Sequence, residues 1–185
     1  TLDEEDLETL RDLASMVEQE LAAVQMATVD DLTNITNRRG FMLLAQHSLN
    51  RCYRDEVPAS LVFFDLNHFK PINDRFGHAE GDRALTAFAE KMSNAFRESD
   101  LFARLGGDEF VALLTKTPKE LAEHVVERLE RLIEKHNKEA KRGYDISFSY
   151  GIVEYNPDKH PTAEALLADG DSLMYQRKAH SSNDS

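Results

Sequence analysis

Apolar residues in the first thirty positions recur at spacings of three and four: Leu7, Leu10, Ala14, Val17, Leu21 and Val24, ending at Thr28. Polar residues fill the intervals, which makes a heptad seam sustained over three repeats. Such a seam either packs on its own domain or pairs with a second copy. Its persistence favours pairing, so residues 1–29 are expected to form a parallel coiled-coil arm that dimerises the chain and carries a signal from upstream.

The pattern changes at Asp30, where a second unit, residues 30–183, is expected to begin. Asn37-Arg38-Arg39-Gly40 marks a turn, and Phe41, Leu44, Ala45 and Leu49 then repeat with helical spacing. Residues 60–66 (SLVFFDL) are a short apolar run of β-formers after Pro58, the signature of a buried strand. Residues 83–96 return to helical spacing, with Leu85, Phe88, Met92 and Phe96 on the inner face. Residues 101–105 and 110–114 read as two strands joined by Gly106-Gly107-Asp108-Glu109, whose paired glycines supply the positive φ of a tight hairpin turn. Thr117 as N-cap, Pro118 and Glu120 predict a capping box opening a helix that Leu121, Val125, Leu129 and Ile133 continue. Residues 145–155 alternate through Ile146, Phe148, Tyr150 and Ile152 as a strand. Thr162 opens a last helix to about Lys178, and the polar tail from His180 is expected to fray. Helix, strand, helix, hairpin, helix, strand, helix is an α+β order of the ferredoxin-like, split βαβ kind, with a mostly antiparallel central sheet flanked by helices.

Length and composition narrow the setting. A chain of 185 residues holds one ordinary domain plus an appended helix, and 41 % hydrophobic residues supply its core. No apolar run reaches the roughly 18 residues of a membrane span, and no signal peptide is visible. A cytoplasmic fragment without membrane contact is expected. The first residue is Thr1 rather than Met, which suits a piece of a longer protein carrying an upstream sensor or a membrane tether. The net charge of −12 argues against a nucleic-acid polymer as partner, which needs a basic face. A nucleoside triphosphate stays compatible where metal ions supply local positive charge. The single cysteine, Cys52, excludes an internal disulfide and fits a reducing compartment. The histidines show no HExxH or paired Cys/His spacing, so a zinc site is not expected.

Chemistry gathers at the strand ends. Asp65 closes the apolar strand, while Asp108 and Glu109 occupy the hairpin turn. If the hairpin pairs beside that strand, three carboxylates meet at one sheet edge, where they repel unless a cation lies among them. Mg²⁺ suits such a place, being held by one or two carboxylates plus substrate phosphates, and two such ions can clamp an attacking hydroxyl and a leaving phosphate. On chemistry alone, metal binding and plain loop decoration stand about even. Gly106 and Gly107 also let a phosphate or base approach the backbone. No GxxxxGK(S/T) loop or GxGxxG turn is present, so any triphosphate is held another way. Lys70 and Lys178 are candidate cations for it, or ordinary surface lysines. Asp82 can accept from guanine N1–H and N2–H₂, and Asn73 can donate to O6 and N7. Turn chemistry accounts for the same two residues and, on their chemistry alone, is the simpler account.

Arg104-Leu105-Gly106-Gly107-Asp108-Glu109-Phe110 resembles the signature of the GGDEF domains, the diguanylate cyclases of bacteria. Asp31-Leu32-Thr33 with Asn37-Arg38-Arg39 resembles the family's opening motif. Phe64-Asp65-Leu66-Asn67-His68-Phe69-Lys70, Ile72-Asn73-Asp74, Gly77-His78 and Gly81-Asp82 resemble its strand-and-loop motifs. Ser149-Tyr150-Gly151-Ile152 resembles the late strand, and Asp171, Tyr175 and Lys178 the last helix, so the similarity spans about residues 30–183.

The resemblance implies a nucleotidyl-cyclase-like sheet and an enzyme that condenses two GTP molecules into cyclic di-GMP plus two pyrophosphates. Asp65 and Asp108, with the backbone carbonyl of Leu66, would bind two Mg²⁺ ions, or Mn²⁺. Glu109 would help activate the ribose 3′-hydroxyl or support the metal site. Asn73 and Asp82 would read guanine, and Lys70, Lys178 and the Gly106-Gly107 turn would receive the triphosphate. Each domain of a homodimer would hold one GTP, and each 3′-hydroxyl would attack the other's α-phosphate.

Arg97-Glu98-Ser99-Asp100 resembles the family's inhibitory RxxD site, where product binds as feedback inhibitor; the pattern alone also fits an i,i+3 ion pair. One departure stands out: Ser181-Ser182-Asn183 replaces the family's Gly-Arg-Asn, and the missing arginine implies weaker GTP binding. A catalytically silent receptor for cyclic di-GMP is the alternative, and intact Asp65, Asp108 and Glu109 argue against it.

Overall fold

An unbroken apolar run suits a strand covered on both faces, and the run around Phe63 becomes an interior strand with a core cluster on each side. The computed structural model describes residues 4–183, except the side chains of residues 5, 25, 26 and 180–183. The elements are α1 (Glu4–Thr28), β1 (Thr36–Asn37), α2 (Arg38–Arg54), β2 (Ala59–Leu66), α3 (Phe69–Phe76), α4 (His78–Ala95), β3 (Leu101–Gly106), β4 (Glu109–Thr115), α5 (Lys119–Ala140), β5 (Phe148–Glu154) and α6 (Ala163–Asn183). The sheet order is β1-β3-β4-β2-β5. β2 pairs antiparallel with β4 and β5, β3 pairs antiparallel with β4, and only β1 runs parallel to its neighbour β3. The last four strands form the split βαβ arrangement that the order of elements predicts.

Alternation along β2 divides the core in two. Val62, Phe64 and Leu66 pack with Phe88 and Met92 of α4 and Val126 and Leu129 of α5. Leu61 and Phe63 pack with Phe41 and Leu49 of α2 and Leu166 and Met174 of α6. Phe64 is fully buried and meets Phe88 and Phe148 edge-on at centroid distances of 6.0 and 5.6 Å. Truncating it to alanine would cost about 3–5 kcal/mol.

Several boundaries differ from the sequence-based reading, each for a local reason. The Asn37 turn is already a helix start: Asn37 Oδ1 accepts from Gly40 N–H at 2.9 Å and caps α2. The same side chain donates Nδ2 to the carbonyls of Ala27 and Val29, at 3.1 and 3.3 Å, tying the end of α1 to the start of α2. The stretch after β2 contains a short helix, α3, and α4 begins at His78 rather than Arg83 because Gly77, at φ 89°, separates the two. Thr117 does not cap α5: its hydroxyl donates to the Thr115 carbonyl, and Glu154 Oε2 accepts from Lys119 N–H at 2.8 Å instead. Strand β5 begins at Phe148, not Asp145, because Asn137 from α5 engages both main-chain groups of Ile146, at 2.9 and 2.8 Å. Leu44 and Leu121 turn outward.

The α1 seam is not covered by its own domain: Leu7, Leu10, Val17, Leu21 and Val24 are 43–59 % exposed. Among the described residues no helix is long and apolar enough to cross a membrane.

Candidate active site

Strand register brings the predicted carboxylates together. Asp65, the penultimate residue of β2, pairs with Glu109 on β4 and with Ser149 on β5. The next residue, buried Leu66, donates its N–H to the Asp108 carbonyl at 3.1 Å. Helix α6 crosses the same strands closely because two glycines meet: a Cβ on Gly151 would lie 2.7 Å from Gly170 O and 2.5 Å from Met174 N. That approach carries Lys178 onto the site, with Nζ 3.1 Å from Asp65 Oδ1.

Crowding leaves its mark on the acids. Burial first, then the Asp65 charge, pushes the Asp108 carboxyl above the usual carboxylate range, against the pull of Lys178 and Arg104. Burial also raises Glu109, followed by the charges of Asp171, Asp65 and Asp108, with Arg38 opposing.

The hairpin turn is held from outside. Gly106 has φ 142° and Gly107 φ 52°, conformations that side chains disfavour, and nothing lies within 4 Å of where their Cβ atoms would be. The space over the turn is open to an approaching group. Arg104 grips the turn from behind, donating Nε and Nη2 to the Gly107 carbonyl at 3.0 and 2.8 Å. Its Nη1 reaches Asp30 Oδ1 at 3.1 Å, and Asp30 also accepts from the Thr33 N–H and hydroxyl at 2.9 and 2.6 Å. Burial works against the Asp30 charge, but the Thr33 and Arg104 contacts hold its carboxyl below the usual range. The opening motif thus serves as a brace for the signature turn. Neither Arg104 nor Asp30 stood out as a working residue in the sequence, although each lies in or beside a quoted motif.

The remaining predicted residues fall in two places. Lys70 is exposed in the first turn of α3, Asn73 is half-buried one turn on, and exposed Asp82 lies in the second turn of α4. Asp82 borders a cleft of about 440 Å³ shared with Leu32, Arg83 and Tyr144. Away from these, Arg97 and Asp100 form a tight turn after α4. Here Arg97 N–H donates to Asp100 Oδ2 at 2.9 Å, so the main chain rather than the guanidinium makes this contact. Both residues line a cleft of about 200 Å³ with Lys116, His124 and Arg128, which sequence reading did not connect to them. Burial raises the Asp100 carboxyl. The side chains of Ser181, Ser182 and Asn183 lie outside the described residues.

Among the described residues no three His, Cys, Asp or Glu side chains converge tightly enough to cage a metal alone. A Mg²⁺ ion needs no such cage when substrate phosphates complete its shell. Asp65 and Asp108, mutually repelling and facing an open glycine turn, fit that kind of partial site.

Residues 27–184 match the model of the diguanylate cyclase GGDEF domain. The chain is 32 % identical over 155 residues to the diguanylate cyclase DosC of Escherichia coli K12, covering 84 % of this chain and 34 % of DosC, so it spans about a third of that relative. The solved GGDEF domain of TpbB (YfiN) from Pseudomonas aeruginosa is 34 % identical, with a TM-score of 0.73 over 82 % of this chain and 89 % of that one. The coiled coil and GGDEF domain of DgcB from Caulobacter crescentus, solved with c-di-GMP, is 22 % identical and shares the fold, with a TM-score of 0.80 over 94 % of this chain and 92 % of that one. The chain belongs to the diguanylate cyclase family of GGDEF domains.

Proposed function

We propose that this domain condenses two GTP molecules into cyclic di-GMP, one GTP on each of two facing domains. The observation that carries this reading is the β2–β4 register that sets Asp65 opposite Glu109, with Asp108 beside them at an open glycine turn. Each 3′-oxygen forms a bond to the other nucleotide's α-phosphorus, the bond from that phosphorus to the β-phosphate bridge breaks, and pyrophosphate leaves. Catalysis by such a site is mostly positioning and charge stabilisation. Asp65, Asp108 and the Leu66 carbonyl would hold Mg²⁺ or Mn²⁺, which when bound would neutralise developing phosphate charge and acidify the 3′-hydroxyl. Glu109, opposite Asp65 across the β2–β4 register and next to Asp108, takes the 3′-hydroxyl proton or supports Asp108. Lys178 and Lys70 take triphosphate charge, while Asn73 and Asp82 orient guanine.

The exposed α1 seam pairs two copies and brings their sites face to face, under control of an upstream sensor. The arm and the cyclase domain work as separate units, residues 1–29 and 30–183. Cyclic di-GMP bound at Arg97 and Asp100 inhibits its own synthesis.

The test is to strip the protein of nucleotide, incubate it concentrated with GTP and Mg²⁺, and identify products by mass spectrometry. Cyclic di-GMP from wild type and none from Asp108→Ala supports the cyclase. No product from wild type, together with tight binding of added cyclic di-GMP, overturns it in favour of a receptor.

A further inference from the structure

Glycine inside a helix is destabilising relative to alanine, because the unfolded chain loses more freedom and no side chain packs. Gly81 stands in the first turns of α4, buried, and lacks the positive φ that would require glycine. The reason for a glycine there lies outside its own backbone. A Cβ on Gly81 would lie 1.8 Å from Asn73 Oδ1, 2.9 Å from Asn73 Cγ and 3.3 Å from Phe69 Cζ. The Asn73 carboxamide therefore occupies the space that a side chain at position 81 would fill.

The surrounding backbone makes this contact rigid on one side only. α3 and α4 are joined at Gly77, whose N–H donates to the Asn73 carbonyl at 2.9 Å and whose carbonyl accepts from Gly81 N–H at 3.2 Å. Those bonds fix the two main chains against each other. The atom closest to the added Cβ is the far end of the Asn73 side chain, which rotates at χ1 and χ2 far more cheaply than two bonded helices separate.

We infer that Gly81 is a positioning residue for guanine recognition: its bare Cα seats the Asn73 carboxamide and so sets its relation to Asp82, the next residue along α4. This rests on the reading that Asn73 and Asp82 contact guanine. Asn73 offers its NH₂ to O6 and N7 only while the carboxamide keeps its place. A Cβ at position 81 meets the amide first and Phe69 Cζ next, and none of these nearest atoms belongs to Lys70, Lys178, Asp65, Asp108 or Glu109.

The experiment compares wild type, Gly81→Ala, Asn73→Ala and the double variant, measuring KM and kcat for GTP and competition by ATP for GTP binding. Gly81→Ala is expected to raise KM about tenfold with a smaller change in kcat, and to reduce the preference for GTP over ATP as far as Asn73→Ala does. In the Asn73→Ala background the clashing amide is gone, so Gly81→Ala should add no further loss, a failure of additivity diagnostic of direct coupling. If Gly81→Ala alone does not fold and the double variant does, the same steric coupling is shown. A wild-type preference for GTP that survives Gly81→Ala, or losses that multiply in the double variant, overturns the role of Gly81. Wild type that binds ATP as well as GTP overturns the guanine reading beneath it.

Discussion

Lys178 Nζ stands 3.1 Å from Asp65 Oδ1, joining α6 to the end of β2 across 113 residues of chain. The lysine side chain is 42 % exposed and the aspartate 17 %, so water screens the pair and its contribution to stability is under about 1 kcal/mol. Its effect is local: it places one cation against a group of carboxylates that otherwise repel, at the point where triphosphate charge would arrive. Lys178→Ala is expected to leave the urea midpoint nearly unchanged and to raise KM for GTP about tenfold, measured by pyrophosphate release. An unchanged KM would remove Lys178 from substrate binding.

The raised Asp108 carboxyl makes a prediction about pH. Burial and then Asp65 lift its folded value above the unfolded one, so the folded state binds that proton more tightly and its ionised form opposes folding. The stability held by this group is fully present below its unfolded value, near pH 4, and is lost as pH rises through the folded value. Asp108→Asn should therefore raise the Tm of nucleotide-free protein at pH 7, and the gain should fade below about pH 4. Mg²⁺ should raise Tm in wild type at pH 7 and do so less in the variant. Equal Tm values at pH 7 would show that the site tolerates its charge without cost.

Arg104 links the opening motif to the signature turn. It is largely buried, with its side chain 14 % exposed against 20 % for Asp30. Arg104→Ala removes both the hold on the Gly107 carbonyl and the partner of Asp30, and is expected to cost about 1–3 kcal/mol in urea unfolding. Because the glycine turn then loses its brace, kcat should fall further than KM rises. Arg104→Lys keeps the charge but not the two-pronged grip, and should recover stability more than turnover. Full turnover in Arg104→Ala would show that the turn holds its shape unaided.

What could be read from the sequence depended on how local the determining forces are. β2 was legible because Leu61, Val62, Phe63 and Phe64 are all apolar, and both faces of that strand are covered. The hairpin was legible because two successive glycines have few other uses. α3 was hidden by its eight-residue length and by Pro71, which leave little periodicity, although proline is tolerated in a first helical turn. The start of β5 and the cap of α5 depend on Asn137 and Glu154, side chains from other elements. The three carboxylates were found because the hairpin placed them, whereas the Arg104–Asp30 pair joins residues 74 apart, with no local signal.

The Arg97–Asp100 cleft predicts a separable regulatory function. It holds Arg97, Lys116 and Arg128 against the single acid Asp100, a positive concentration in a chain of net charge −12, and it suits a ligand with two phosphates and guanine edges. Arg128 is further held by a hydrogen bond to the Ala95 carbonyl at the end of α4. Arg97→Ala and Arg128→Ala are each expected to leave the initial rate within about twofold and to raise the concentration of cyclic di-GMP giving half-inhibition more than tenfold. Inhibition that survives both would place feedback at the active site itself.

α1 carries an apolar stripe that its own domain leaves exposed. An apolar stripe left open along a helix of 25 residues costs solvation unless something covers it, and isolated helices are marginal in water without such packing. Pairing two copies along the seam covers it, and the Asn37 bonds to Ala27 and Val29 make the arm continuous with α2 at its base. Val17→Glu puts two like charges against each other in the middle of a parallel pair. It is expected to shift the protein from dimer to monomer by light scattering at micromolar concentration. On the proposed reaction, with one GTP on each of two domains, turnover per domain should then fall at least tenfold and rise with protein concentration, while GTP binding to the monomer persists. A Val17→Glu protein that remains dimeric and fully active would show that the two domains meet through another surface and that the exposed seam serves something else.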